Sequence, residues 1–194
     1  MDALQFFRLR YDNVHGPMTD RLRDLPDPQL RLRPYGLNPV AWLLWHLARC
    51  EDVGVNRFVL DRPQVFDAEG WAARLGVARR DIGTGMTDAE VDALSGAIDV
   101  GALRAYWDAV GRATLAGLEA RRSDDLDAPV ARADLRRVVA EEGVLGPHAD
   151  WVEEAWAAWP NRGAYLAQLA LAHHYGHFYD IAVVRGLLER GVAG

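Results

Sequence analysis

The sequence predicts an all-α protein, a bundle of four long helices joined by two long crossover connections. Four segments place apolar residues at i, i+3 and i+4, the spacing that puts side chains on one face of a helix. Strand-like alternation of apolar and polar residues is nearly absent, and neither an internal repeat nor a linker-like stretch divides the chain. We therefore expect a single domain over residues 1–194, with its core between the helices.

The four long helices are expected, in chain order, at 2–25, 39–60, 100–121 and 162–188. The crossover between the second and third is expected to contain short helices at 69–75 and 87–94, and the crossover between the third and fourth a short helix at 134–141. The first helix should bury one stripe of residues, namely Leu4, Phe7, Tyr11, Val14, Met18 and Leu22. Tryptophans in the first half of the second helix make it apolar on all sides, which favours a central position.

Three helix starts carry a recognisable capping residue. Asn38 precedes Pro39, and Thr87 and Glu90 have the spacing of a capping box. Asn161 stands before the fourth helix. Each of these side chains is expected to accept a hydrogen bond from an amide that the first helical turn leaves free.

Composition and charge exclude several classes of protein. All 22 basic residues are arginine, so no lysine can form a Schiff base or serve a phosphate-binding loop. The net charge of -6 is evenly spread, which argues against nucleic acid or an anionic membrane surface as a partner. The sequence shows no signal peptide and no apolar run of the roughly 18 residues that a membrane span needs, so we expect a cytoplasmic protein.

Two histidines of the fourth helix have the spacing of metal ligands. His173 and His177 lie at i and i+4 on the predicted apolar face, so their rings can converge on one divalent ion. The expected third ligand is His46, which lies in the strongly apolar second helix. Three imidazoles leave a coordination position open for water or substrate, as catalytic sites do. The alternative is that each histidine is a hydrogen-bonded core residue without a metal.

The other histidines are expected outside the site. His174 should point about 100° away from its neighbour and lie at a flank or on the surface. His15 and His148 are expected in surface or connector positions.

Residues 38–52 (NPVAWLLWHLARCED), followed far downstream by His173-x-x-x-His177, resemble the DinB-like metalloenzyme superfamily, which includes bacillithiol- and mycothiol-dependent transferases and isomerases. The resemblance covers nearly the whole chain in helix order and spacing. It implies an up-down-down-up four-helix bundle that often forms homodimers. It also implies a site in which His46, His173 and His177 bind zinc, nickel or a similar ion. Many relatives have glutamine three residues after the last histidine, where this chain has Asp180.

Three further residues are candidates for roles beside such a site. Asp180 could accept a hydrogen bond from a ligand imidazole, contact the metal or act as a general base, or it could pair with an arginine such as Arg49. Glu51 could support the site or be buried against an arginine. Cys50, the single cysteine, could be a fourth ligand or a redox-sensitive thiol, although a small buried hydrophobic residue is the more common role.

The leading functional prediction is a metal-dependent enzyme that acts on small molecules, either as a thiol S-transferase or as a metal-assisted hydrolase. A small-molecule thiol and an electrophile would be its substrates. No residue selects a thiol over water, so the preference for a transferase rests on the resemblance. The alternative is a non-catalytic protein in which the bundle binds a metal or a small ligand for stress response or sensing.

Overall fold

Helices make up most of the chain, and the residues that the computed structural model describes, 1–192, include no β-strand. The all-α class predicted from the sequence is thus confirmed. In chain order the α-helices are α1 (Ala3–Arg23), α2 (Val40–Glu51), α3 (Val65–Ala68), α4 (Trp71–Leu75), α5 (Asp88–Ala97), α6 (Val100–Glu119), α7 (Arg132–Glu142), α8 (Asp150–Ala157), α9 (Arg162–Ala167) and α10 (His173–Glu189). Two π-helical stretches, Asp52–Val59 after α2 and Gln168–Ala172 between α9 and α10, extend these helices without a break.

The four predicted long helices correspond to α1, α2 with its π-helical extension, α6, and α9 with α10. α1 buries the six residues of its predicted stripe. The predicted short helix at 69–75 is instead two helices, α3 and α4, because Gly70 takes a left-handed φ of 65° between them. The sequence reading missed α8, which buries only Val152 and Trp156 and therefore has a weak apolar pattern.

Two of the three predicted caps are confirmed. Thr87 and Glu90 form the capping box, and Asn161 accepts a hydrogen bond of 3.0 Å from the amide of Ala164. The cap at Asn38 is wrong, because Pro39 is extended, with ψ of 152°, and α2 begins one residue later than predicted. Asn38 is consequently too far from the first-turn amides to act as the cap.

The long helix α2 occupies the centre of the molecule. All of its residues are buried, and it packs against both α6 and α10. α1 contacts α6 and α10 from the other side. No helix among residues 1–192 is both long and apolar enough to cross a membrane.

The inward face of the last helix differs from the predicted one. His174 is completely buried, while Asp180 has a side chain 58% exposed. The prediction that His174 lies at a flank or on the surface is therefore wrong. In the π-helical stretch the amide of His173 donates to the carbonyl of Gln168, five residues back, so one additional residue enters the turn. This insertion moves the inward position from His173 to His174.

The two π-helical stretches touch each other. A β-carbon added at Gly54, in the stretch after α2, would lie 2.4 Å from Cδ1 of Leu169, in the stretch before α10. Glycine at this position thus permits a close approach that fixes α10 relative to α2.

Candidate metal centre

Three histidine nitrogens meet between α2 and α10. Nε2 of His173 lies 3.0 Å from Nε2 of His46 and 3.0 Å from Nε2 of His177. One ligand atom from each residue lies within 4.8 Å of the other two, an arrangement that could hold a metal ion. The structure thus brings together the three residues predicted from their spacing and their apolar surroundings.

The ring of His46 is held from two directions. Its Nδ1 donates a hydrogen bond of 2.5 Å to the carbonyl of Ile82, and Trp42 stacks on the ring with centroids 4.8 Å apart. Because a carbonyl can only accept, the proton of a neutral His46 resides on Nδ1. The lone pair of Nε2 therefore faces the other two histidines.

A buried arginine anchors the loop that contains Ile82. Arg49, one turn after His46, donates hydrogen bonds of 2.9 and 2.6 Å to the carbonyl of Arg80. It also donates to Gln64 at 2.7 Å and lies 3.4 Å from the carboxylate of Asp52. Arg49 thus positions His46 indirectly, through the loop, and does not pair with Asp180.

Asp180 holds the ring of His177. Its carboxylate accepts a hydrogen bond of 2.7 Å from Nδ1 of His177, so in the neutral ring the proton is on Nδ1 and the lone pair of Nε2 is directed at the centre. Of the roles considered from the sequence, the structure shows a hydrogen bond to an imidazole, that of the candidate ligand His177. A partly exposed carboxylate orients a histidine in this way in many metal sites.

The protonation of the cluster suits a cation. Burial lowers the pKa of His46 to about 4 and, with repulsion from neighbouring imidazoles, that of His173 to about 2. These two rings are therefore neutral at neutral pH. The lone pairs of His46 and His177 both face Nε2 of His173, which can carry at most one proton. A divalent cation would satisfy all three nitrogens at once, so the donor set fits a transition metal.

Glu51 belongs to a separate buried cluster on the opposite side of α2. Its Oε1 accepts hydrogen bonds from the hydroxyls of Tyr11, at 2.7 Å, and Thr114, at 2.6 Å. Its Oε2 lies 3.2 Å from Nε2 of His174, although the geometry is not that of a hydrogen bond. Burial raises the pKa of Glu51 to about 7. Of the two predicted roles, the structure shows burial, but against a histidine in place of an arginine.

His15 and His148 differ in their surroundings. His15 stacks on Trp107 with centroids 4.3 Å apart, and burial lowers its pKa to about 4. In place of the predicted surface position, the side chain is only partly exposed, because α6 approaches α1 so closely that the ring lies against Gly111. His148 is exposed in the connection between α7 and α8, as predicted.

Cys50 lies behind the ring of His46, away from the three converging nitrogens. Its Sγ is 3.7 Å from Nδ1 of that ring, the nitrogen already bonded to the carbonyl of Ile82. Burial raises the pKa of the thiol, which keeps it protonated. Cys50 therefore packs as a small apolar side chain.

Two cavities border the three histidines. One, of about 480 Å³, reaches His46 and His173 and is enclosed by α8 and by the start of the last helix. A smaller one, of about 280 Å³, lies beside His177 and Asp180. The three nitrogens are thus reachable by small molecules.

Sequence reasoning missed two features of this centre. The carbonyl of Ile82 carries no side-chain signal, although the glycines at 83 and 85, both with positive φ, mark a tight loop at this point. Gln168, which lines the larger cavity, lies in the π-helical stretch that the sequence does not reveal.

Comparison with known proteins agrees with this architecture. A family model described as the DinB superfamily matches residues 10–181. The fold is similar to the crystal structure of a conserved protein from Enterococcus faecalis, with a TM-score of 0.68 and 17% identity over 96% of this chain and 99% of that one. No curated protein matches the chain. Because the family model covers most of the chain and includes all three clustered histidines, the protein belongs to the DinB superfamily.

Proposed function

We propose that the protein is a metal-dependent enzyme that acts on small molecules, with a thiol S-transferase as the leading activity and a hydrolase as its close variant. The observation that carries this proposal is the convergence of three Nε2 atoms beside a cavity of about 480 Å³. A structural metal site is normally closed by four protein ligands, whereas three ligands beside a cavity leave a position for a substrate.

Each residue of the candidate metal centre would have a distinct role. His46, His173 and His177 would hold a divalent ion, with zinc and nickel the leading candidates. Such an ion, when bound, lowers the pKa of a thiol or water in its open position. The carbonyl of Ile82 and the carboxylate of Asp180 fix the two outer rings with their lone pairs directed inward. The choice of a thiol over water rests on membership of the DinB superfamily.

The proposed enzyme is a four-helix bundle that assembles into a homodimer. We infer that α1, α2, α6 and the last helix form an up-down-down-up four-helix bundle, with α3–α5 and α7–α8 in its two crossovers. The mutual contacts of these four helices support this inference. A homodimer in the cytoplasm completes the proposed picture, with neither nucleic acid nor membrane as a partner.

Metal analysis of the purified protein tests the centre. Wild type should bind about one zinc or nickel ion per chain, and the variants His46→Ala, His173→Ala and His177→Ala should each lose it. His148→Ala is the matched control, because that histidine is exposed and belongs neither to the cluster nor to the lining of the two cavities beside it. Full metal content in any of the three cluster variants would overturn the assignment.

A thiol titration tests the activity class. Cobalt is substituted into the centre, and the visible spectrum is followed during addition of 2-mercaptoethanol or of ethylene glycol, in which a hydroxyl replaces the thiol. A spectral change with the thiol alone supports the transferase. If the thiol changes neither the spectrum nor the melting temperature, the transferase is contradicted.

A further inference from the structure

The larger cavity beside the three histidines has an aromatic wall. Trp151, Trp156 and Trp159, from α8 and the turn after it, line one side. Aromatic side chains outside the cavity lining pack against Trp156 and Trp159. Phe58 meets Trp156 edge to face at 5.7 Å, and Tyr165 meets Trp159 in the same way at 4.9 Å. The wall is therefore preformed, as expected of a binding site for planar molecules.

Trp151 lies at the rim of this cavity and is 64% exposed. A tryptophan left so far in water has a large apolar surface that a ligand could cover. It belongs to α8, which also contributes the buried Trp156, so its backbone is fixed even though its ring is free.

The polar groups of the cavity are uncharged. Thr84 and Gln168 supply a hydroxyl and an amide, while none of the described residues that line it is Arg, Asp or Glu. None of the chain's 22 arginines is among the described residues that line this cavity. In the metal-free protein a carboxylate or phosphate would find no cation there to offset its desolvation, so the lining itself disfavours anionic ligands.

We propose that this cavity binds an uncharged aromatic molecule of one or two rings, which stacks on Trp151 and hydrogen-bonds to Gln168. The volume of about 480 Å³ lies within the usual range of about 300–1,000 Å³ for small-molecule sites. Because the cavity ends at His46 and His173, the bound molecule lies beside the metal centre. Its role as the electrophilic substrate rests on the proposed function, whereas its binding does not require the metal.

Isothermal titration calorimetry with 2-naphthol and 2-naphthoate tests the proposal on both metal-free and metal-loaded protein. We expect 2-naphthol to bind both forms, and 2-naphthoate to bind the metal-free form more weakly than 2-naphthol does. Trp151→Ala should weaken 2-naphthol binding by roughly 3- to 10-fold, and Trp151→Phe should restore part of the loss. Tyr179→Ala is the matched control, since this exposed aromatic residue of α10 does not line the cavity and should leave the affinity unchanged.

A second variant tests the charge argument. Gln168→Arg adds a guanidinium to an exposed position of the lining and should reverse the preference in favour of 2-naphthoate. Equal binding of the two probes by metal-free wild type, or an unchanged affinity in Trp151→Ala, would overturn the proposal.

The two proposals fail separately. If the histidine variants lose metal but wild type does not bind 2-naphthol, the assignment of the metal centre stands and the aromatic site is contradicted. Tryptophan-dependent binding to a protein that takes up no metal would retain the aromatic site and contradict the enzyme.

Discussion

Titration of Glu51 lowers the free energy of unfolding as the pH rises, and a single substitution, Glu51→Gln, removes this titration. The side chain is completely buried among Tyr11 of α1, Thr114 of α6 and His174 of α10, and the carboxylate of Asp52 follows it on its own helix. Burial, aided by the neighbouring carboxylate, raises its pKa from the ordinary 4.5 to about 7. The folded protein therefore binds this proton more tightly than the unfolded chain does.

The magnitude follows from the two pKa values. Their difference corresponds to about 3 kcal/mol. This contribution is fully present below a pH of about 4.5 and is lost as the pH rises to about 7, because ionising Glu51 is harder in the folded state. Above that pH the folded protein retains a buried carboxylate at a constant cost.

Glu51→Gln removes the titration while preserving the shape. The amide oxygen can still accept from Tyr11 and Thr114, and the amide nitrogen takes the place of Oε2, 3.2 Å from Nε2 of His174. We expect the free energy of unfolding of the variant, relative to that of wild type, to increase by about 3 kcal/mol between pH about 4.5 and pH about 8. In urea this difference moves the midpoint by roughly 1–3 M.

The assay is urea denaturation of metal-free protein across that pH range, followed by circular dichroism. Histidines with lowered pKa, such as His15, His46 and His173, act in the opposite direction, because their protonation favours the unfolded chain as the pH falls below about 6.5. Their contributions are common to both proteins and cancel in the difference. Glu119→Gln, an exposed substitution on α6, controls for the change in net charge. A stability difference between Glu51→Gln and wild type that stays constant over the range would refute the reasoning.

Four further substitutions, one of them a control, test the contacts of the site and of the residues that support it. Asp180→Ala frees Nδ1 of His177 and should weaken metal binding by roughly 10- to 100-fold, measured by competition with a chelator; unchanged affinity would contradict the orienting role. Arg49→Met leaves the buried carboxylate of Asp52 without its ion-pair partner and should cost about 3–5 kcal/mol in urea denaturation, so a loss below about 1 kcal/mol would argue against it. Gly54→Ala forces a contact with the facing π-helical stretch and should cost about 1–3 kcal/mol, whereas Gly186→Ala, in open space on α10, should be neutral or stabilising by up to about 1 kcal/mol.

The sequence was sufficient to predict the all-α class and the clustering of the three histidines, for identifiable reasons. The i, i+4 spacing of His173 and His177 survives because both residues follow the π-helical stretch and lie in regular α-helix. His46 could be singled out because polar residues are rare in the apolar α2. In each case the prediction depended on local periodicity, which tertiary contacts left unchanged.

The features that the sequence did not predict depend on backbone geometry and on long-range contacts. The π-helical turn has no distinctive residue pattern in Gln168–Ala172, so the inward face of α10 was placed one residue too early. The burial of His15 required knowledge of how closely Gly111 lets α6 approach α1. The acceptor for His46 is a backbone carbonyl of Ile82, an atom that every residue possesses.

The π-helical turn before His173 determines which of two adjacent histidines faces the closed core. With a regular α-helical turn, His173 would take the inward position that His174 occupies, opposite Glu51 in the closed core. The added residue instead moves His173 and His177 sideways, where one cavity borders His173 and another borders His177. His174 then fills the core beside Glu51, where burial holds its pKa well below the ordinary value. The candidate centre and a completely buried histidine can therefore lie side by side, since adjacent residues of a helix point about 100° apart and the π-helical turn sets which of the two faces the core.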